Sequence, residues 1–309
     1  MLPFDSSEPL ALNLKKNPDL WKEVAFNLCR KHKIRTSEFT PFSSGSALVA
    51  AVSDKAVIKI LQPPCRGEWN AEQWALSKIS PLSNNLSIEI PKLLAAEIDE
   101  SGWSYIIMSR VPGIQLDQAW QSITQENRMT LMNEIGRLMA FVHQKSLVDN
   151  HPESWNSFLS TQKEKCQERH RQLKMPDWFV EEIPEYLGKL STINFRPVLL
   201  TGEYTPFNLL VTEVNSHWKL TGMIDFADAF VGDPEYDLIG PGVFLGGGDS
   251  ELINSLLEGY GLKMNPRLRH RLMSLHLLHR FSNFEKQISL KGWELKASSL
   301  EELATLLWP

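Results

Sequence analysis

The chain is 309 residues long, 42% hydrophobic, and carries a formal net charge of -5. That length suits one large or two modest folding units with a real core, and the acidic balance argues against a general nucleic-acid binder. No apolar run approaches the roughly 20 residues that cross a bilayer, so no membrane partner is expected.

Three widely spaced cysteines, Cys29, Cys65 and Cys166, form no C-x-x-C and no disulfide framework. They point to a reducing compartment, the cytoplasm. The opening MLPFDSSEPLALNLKK has no basic stretch ahead of an apolar one, so no signal peptide is expected.

Asn17-Pro18 reads as a helix start, a capping residue and then proline, with LWKEVAFNLCRKHK following at helical spacing. From Phe39 the pattern turns to strands. FTPFSSGSALVAAV and AVIKIL are joined at Ser53-Asp54-Lys55. RGEWNAEQWALSKIS is helical again. IPKLLAAEI and WSYIIMSRV are two more strands with a DESG hairpin signal between them.

After Pro112-Gly113 helices dominate: RMTLMNEIGRLMAFVHQ, WNSFLSTQKEKCQERHRQLK and PDWFVEEIPEYLGKL. NLLVTEV and WKLTGMIDF form a hairpin turning at Asn215-Ser216, and the remainder, including PRLRHRLMSLHLLHRFSNFEKQI, reads as helix. The fold class is therefore α+β. Residues 1–110 make a small β-rich lobe and residues 111–309 a larger helical one, with a joint near residues 109–113.

Four features share one chemistry. Lys59 in AVIKI is either an exposed strand lysine or an inward one, and an inward ammonium needs an anion. Glu72, on the next helix, is placed to pair with it; Glu68 competes from nearly the same face. Glu203 and Asn208 lie five residues apart in LLTGEYTPFNLLV. They can aim into one cavity, as a proton-accepting carboxylate and a hard oxygen ligand, or serve ordinary turn chemistry. Asp225 in MIDF, at a strand end, is a metal-ligating acid or a cap. Asn208 and Asp225 sit at either end of one hairpin, and two oxygen donors favour Mg²⁺ over zinc.

In this order, Lys59, Glu72, Glu203, Asn208 and Asp225 resemble the aminoglycoside phosphotransferase family, which has the two-lobed protein-kinase-like fold. TGEYTPFN stands where that family carries H-G-D-x-x-x-x-N, IDF resembles its I-D-F/W, and GDPEYDL matches its G-D-P-x-x-D-L. YIIMSRVPG resembles the joint between lobes. The likeness runs from about Phe39 to Leu238.

The resemblance implies a kinase that moves the γ-phosphate of ATP or GTP to a hydroxyl of a small molecule. The acceptor is an aminoglycoside or another small polyol or amino alcohol, so the role is either antibiotic resistance or ordinary metabolism. By the same resemblance Lys59, held by Glu72, takes the α/β-phosphates. Asn208 and Asp225 take Mg²⁺. Backbone at Ser109 and Val111 meets the base, and Glu203 orients the acceptor hydroxyl and takes its proton.

Two positions depart from the family pattern: Thr201 replaces its histidine and Glu203 its aspartate. They motivate a rival reading, a silent nucleotide-binding module that acts through a partner. LGGGDS (245–250) lacks a following G-K-[ST] and is a connection with Asp249 or Ser250 capping the next helix. FSSGSALV, with one glycine, is a weak phosphate cover. His270, His276 and His279 are expected to pack rather than bind zinc. Asp233 is expected as a cap before Pro234, and Asp237 as a brace for the Glu203 loop.

Overall fold

The computed structural model describes residues 9–43, 45–146, 154–190 and 195–309. Part of the stretch read for a signal peptide (1–8) and Ser44 of the weak phosphate cover lie outside them. The chain divides into two compact units, one of Met1–Pro112 with Gly222–Asp228, the other of Gly113–Thr221 with Ala229–Pro309.

The first unit contains α1 (Pro9–Lys16) and α2 (Asp19–Lys31), then strands β1 (Thr40–Phe42), β2 (Leu48–Ala51) and β3 (Ala56–Leu61). Helix α3 (Arg66–Ile79) and strands β4 (Leu93–Ile98) and β5 (Ser104–Ser109) follow. The strands form one antiparallel sheet in the order β1-β2-β3-β5-β4.

Helix α1 was not foreseen, and Asn17 does not cap α2. Its amide donates back to the Asn13 carbonyl (3.0 Å), and Pro18 takes the N-cap position without a side-chain bond. The turn before β3 is held by the Val52 N–H on the Ala56 carbonyl (2.9 Å) and the Lys55 N–H on the Ser53 hydroxyl (3.2 Å).

Side chains alternate across a strand, and β3 uses this alternation to separate two environments. Ile58 and Ile60 enter a core with Trp21, Ala25 and Cys29 of α2 and with Trp103, Tyr105 and Ile107. Lys59 lies between them in sequence and so projects from the other face. Helix α3 buries Glu72, Ala75, Leu76 and Ile79, spaced along one helical stripe. The Trp69 indole N–H ties α3 to β5 through the Tyr105 carbonyl (3.0 Å).

The second unit begins with β6 (Ile114–Gln115) and α4 (Leu116–Ala119). The helices α5 (Gln125–Lys145), α6 (Trp155–Gln172) and α7 (Asp177–Gly188) follow. Strands β7 (Val198–Leu200), β8 (Leu209–Val214), β9 (His217–Met223) and β10 (Phe230–Gly232) come next. The chain closes with α8 (Ile239–Pro241), α9 (Ser250–Tyr260), α10 (Pro266–Leu278), α11 (Phe284–Gln287) and α12 (Leu300–Leu307). The last two residues of β9 already belong to the first unit.

Helices α5, α6, α9, α10 and α12 each start on a capping side chain: Thr124, Ser154, Asp249, Asn265 and Ser299. Helices α5 and α9 approach closely because each presents a glycine. A Cβ on Gly136 would strike the Leu256 carbonyl, and one on Gly259 the Asn133 carbonyl.

The long helix expected over PRLRHRLMSLHLLHRFSNFEKQI is broken. His279 is extended (ψ 138°) and Asn283 caps the short α11 by accepting the Lys286 N–H. Its histidines pack on rings: His276 stacks on Phe284 (centroids 4.0 Å), His279 on Tyr236 (4.5 Å) and His270 on Tyr186 (4.4 Å).

Burial pulls the pKa of His170 down to about 4, and those of His276 and His279 to about 3. The folded state therefore rejects a proton that the unfolded chain accepts near pH 6.5. The stabilisation is complete above that value and is lost as pH falls toward the folded pKa values. Chemical denaturation is expected to show stability falling below pH 6.5 by up to about 1.4 kcal/mol per pH unit for each histidine. His276→Phe, which keeps a ring on Phe284, should lower that slope by about one proton. An unchanged slope would remove His276 from the acid response.

Candidate functional site

In the first unit, Lys59 Nζ lies 2.8 Å from Glu72 Oε2 and 2.9 Å from Asp225 Oδ1. Strand β3 sets Lys59 in register between Val49 and Ile106. Helix α3 supplies Glu72, so of the two candidate glutamates it is Glu72 that pairs; Glu68 meets the Ser46 hydroxyl instead (3.3 Å).

Asp225 arrives with the segment Gly222–Asp228. That segment is fastened by the Met223 N–H on the Glu89 carbonyl (3.1 Å) and by a parallel bridge between Glu89 and Gly222. Phe226, fully buried, anchors it further.

Burial alone would lower the Lys59 pKa, but the two carboxylates raise it above its ordinary value, so the ammonium stays charged. Burial raises the Glu72 pKa, with Lys59 pulling against it. Burial also works against the Asp225 carboxylate, yet Lys59 overrides it and holds the pKa low.

The three groups differ in access. Lys59 and Glu72 are buried, whereas the Asp225 side chain is 41% exposed. Both described contacts of Asp225, from Lys59 and from the Ala227 N–H (3.3 Å), fall on Oδ1. Oδ2 therefore has no partner among the described residues. Asp225 sits at φ 61°, a left-handed conformation that aspartate and asparagine tolerate better than most residues.

Ser109 and Val111 lie at the end of β5. The Ser109 N–H is used by the Lys92 carbonyl (2.9 Å), and the Arg110 N–H by the Lys55 carbonyl (2.8 Å). The Val111 N–H has no partner among the described residues. Two positions apart on an extended chain, the Ser109 C=O and the Val111 N–H offer one acceptor and one donor on the same edge.

In the second unit, β7 runs into the loop Thr201–Asn208, which leads into β8. Asn208 Nδ2 donates to Glu203 Oε2 (2.7 Å). This bond orients the amide so that Oδ1 is the atom left as an oxygen donor. The loop closes on itself through the Asn208 N–H on the Thr205 carbonyl (3.0 Å). Its far side is held by the Asp117 N–H on the Pro206 carbonyl (3.1 Å) and by Gln115 Nε2 on the Phe207 carbonyl (2.6 Å).

Its near side rests on Asp237, which is buried. Oδ2 accepts the Thr201 N–H (3.0 Å) and Oδ1 the Gly202 N–H (2.9 Å). Gly202 is at φ 75°, where a side chain would be strained. Thr201, in the place of the family histidine, adds only a long hydroxyl contact to Asp237 (3.5 Å).

A histidine does brace Asp237, but from elsewhere: His143 of α5 puts Nε2 3.1 Å from Asp237 Oδ2 and Nδ1 2.8 Å from the Tyr260 hydroxyl. Sequence reading passed over His143. The signal was its place on the buried face of RMTLMNEIGRLMAFVHQ, where a polar ring needs a polar partner. Asp233 caps the turn over Pro234–Leu238, accepting the Glu235 N–H (3.0 Å), and ion-pairs with Arg271 (2.5 Å).

The arrangement has defined chemical capacities. A fixed ammonium can neutralise phosphate oxygens. Asp225 and Asn208 each keep one oxygen without a described partner. Each is by itself a hard donor of the kind taken by Mg²⁺, an ion that keeps several waters and draws much of its shell from substrate phosphates. No cluster of three or more His, Cys, Asp or Glu side chains suited to a metal occurs among the described residues.

A family model described as the phosphotransferase enzyme family, APH, matches residues 65–273. Among solved structures, the GDP complex of aminoglycoside 2'-phosphotransferase-IIIa matches with a TM-score of 0.65 at 15% identity, over 93% of this chain and 97% of that one. The streptomycin–ATP ternary complex of APH(2")-IIa gives 0.60 at 16%, over 91% and 97%. The macrolide 2'-phosphotransferase MphH from Brachybacterium faecium gives 0.57 at 16%, over 94% and 98%. At such identities the likeness shows a shared fold, the kinase-like one of a β-rich and a helical part. With its family model spanning well over half of its residues, the chain belongs to the APH family of phosphotransferase enzymes.

Proposed function

We propose that this protein transfers the γ-phosphate of ATP or GTP to a hydroxyl group of an aminoglycoside-like or amino-alcohol substrate, in the cytoplasm. The observation that carries the reading is Lys59 held between buried Glu72 (2.8 Å) and half-exposed Asp225 (2.9 Å). Glu72 alone balances the charge of the ammonium. Here a second acid stands beside it with an oxygen left over.

In this reading residues 1–110 handle the nucleotide and residues 111–309 the acceptor. Lys59, fixed by Glu72, neutralises the phosphates, and the backbone of Ser109 and Val111 meets the base. Asp225 and Asn208 are the protein's oxygen ligands to Mg²⁺. When bound, that ion would offset the charge on the phosphates. Glu203 orients the acceptor hydroxyl and takes its proton. Solved relatives of the same fold include proteins complexed with streptomycin and ATP or with GDP, which supports a nucleotide and a small hydroxylated acceptor.

The test is purified protein with Mg²⁺ and labelled ATP or GTP across aminoglycosides, macrolides and small amino alcohols. Transfer to at least one acceptor is expected. Nucleotide binding with transfer to none would instead favour a silent module, for which the Glu203 and Thr201 replacements are the motive.

Glu203→Asp tests the loop itself. Glu203 reaches the Asn208 amide at 2.7 Å, and the shorter side chain would withdraw its carboxylate by about 1 Å. Turnover is expected to fall by on the order of 100-fold. A rise would mean the native glutamate is a handicap rather than an adapted base.

A further inference from the structure

The second unit contains a solvent-open cavity of about 580 Å³ that the proposed chemistry does not use. Helix α5 lines it with Arg137, Phe141, His143 and Gln144; Arg196 and Val198 come from the entry to β7, and Tyr260 from the end of α9. Among the described residues, no aspartate or glutamate lines it. The formal charges among its described lining residues are those of the two guanidiniums, with Asp233, Glu235 and Asp237 close enough to act on Tyr260.

Other arginines of this unit have partners: Arg271 pairs with Asp233 and Glu235, Arg171 with Glu168, and Arg128 and Arg169 with the carbonyls of Trp120 and Leu277. Arg137 and Arg196 have none among the described residues. Two guanidiniums opening on one cavity are forks for a single oxyanion, and a phosphate can take both. Beside them Phe141, Val198 and Pro234 supply an apolar wall, and the volume is that of a small-metabolite site.

We propose that this cavity binds a small organic phosphate, its phosphoryl oxygens on Arg137 and Arg196 and its apolar body against Phe141, Val198 and Pro234. The site lies close to the machinery without belonging to it. Its floor residue His143 reaches Asp237 Oδ2 (3.1 Å), which in turn holds the Thr201 and Gly202 N–H groups. Binding here does not depend on the phosphotransferase reading, because none of Lys59, Glu72, Ser109, Val111, Glu203, Asn208 and Asp225 lines the cavity.

The test is titration calorimetry of the full chain with phenyl phosphate, alongside inorganic phosphate and phenol. Phenyl phosphate is expected to bind saturably with a Kd on the order of 1 mM, as befits so small a ligand. It should bind more tightly than inorganic phosphate, and phenol should not bind. Arg137→Ala and Arg196→Ala should each weaken it by about tenfold or more, while Lys59→Met leaves it unchanged. Both arginines are exposed, so neither replacement threatens folding, and thermal melts check that. The proposal is overturned by no saturable binding, by binding that ignores both arginine replacements, or by binding lost in Lys59→Met, which would put the phosphate at the Lys59 cluster.

Discussion

Replacing Asp225 with asparagine is expected to lower phosphoryl transfer by on the order of 1,000-fold while leaving the protein folded. The two parts of that result have separate causes. Asparagine tolerates the left-handed backbone at φ 61° about as well as aspartate, and its Oδ1 can still accept the Ala227 N–H. What it removes is the negative charge. Lys59 then keeps one carboxylate, Glu72, instead of two, and the unpartnered Oδ2 that suits a hard cation becomes an amide donor.

Asp225→Ala would confound this. It would remove the Asx turn and put alanine into a conformation that it adopts poorly, at a cost of about 1 kcal/mol. The measurements are turnover with the best acceptor and a thermal melt. Transfer within tenfold of the parent in Asp225→Asn would mean that Asp225 only balances Lys59. Loss of both activity and fold would mean that the ion pair is structural.

The parts of the site that could be read from sequence were those fixed by periodicity. Lys59 stands between Ile58 and Ile60 on a strand, so burial of the isoleucines on one side commits the lysine to the other. Glu72 falls three, four and seven residues before Ala75, Leu76 and Ile79, on the buried stripe of α3, where Glu68 does not contribute. The hairpin turn at Asn215-Ser216 was legible because both residues take positive φ (52° and 62°), as asparagine commonly does.

What escaped was set by partners distant in the chain. Strands β7 and β10 have three residues each, too short for any pattern, and exist because Phe230, Val231 and Gly232 pair with Leu200, Leu199 and Val198. The break after α10 is decided by Asn283 capping α11, a local competition that a smooth apolar period hides. That Gly222–Asp228 groups with the first unit follows from a backbone bond to Glu89, more than a hundred residues earlier. His143 carried a weak signal, but its partner Asp237 lies 94 residues away.

Asp237 is where the second large effect is expected, and it should appear in stability as well as rate. Its carboxylate accepts the Thr201 and Gly202 N–H groups and meets His143 Nε2, all within 3.1 Å and out of reach of water. Asp237→Ala strands two backbone donors and an imidazole nitrogen in a dry interior. Stranded groups of this kind cost about 1–3 kcal/mol each, so a loss of about 3–5 kcal/mol is expected in chemical denaturation.

The same change frees the start of the loop that carries Glu203 and Asn208, and a shift of about 1 Å there lowers turnover on the order of 100-fold. His143→Ala separates the two roles. It removes one ligand of Asp237 but leaves both backbone bonds, so it should cost less stability and leave turnover within about tenfold. Because the two side chains touch, the double replacement should cost less than the sum of the singles by about 1 kcal/mol or more. Strict additivity, or an Asp237→Ala protein as stable as the parent, would show that the loop is held chiefly by its far side, through Asp117 and Gln115.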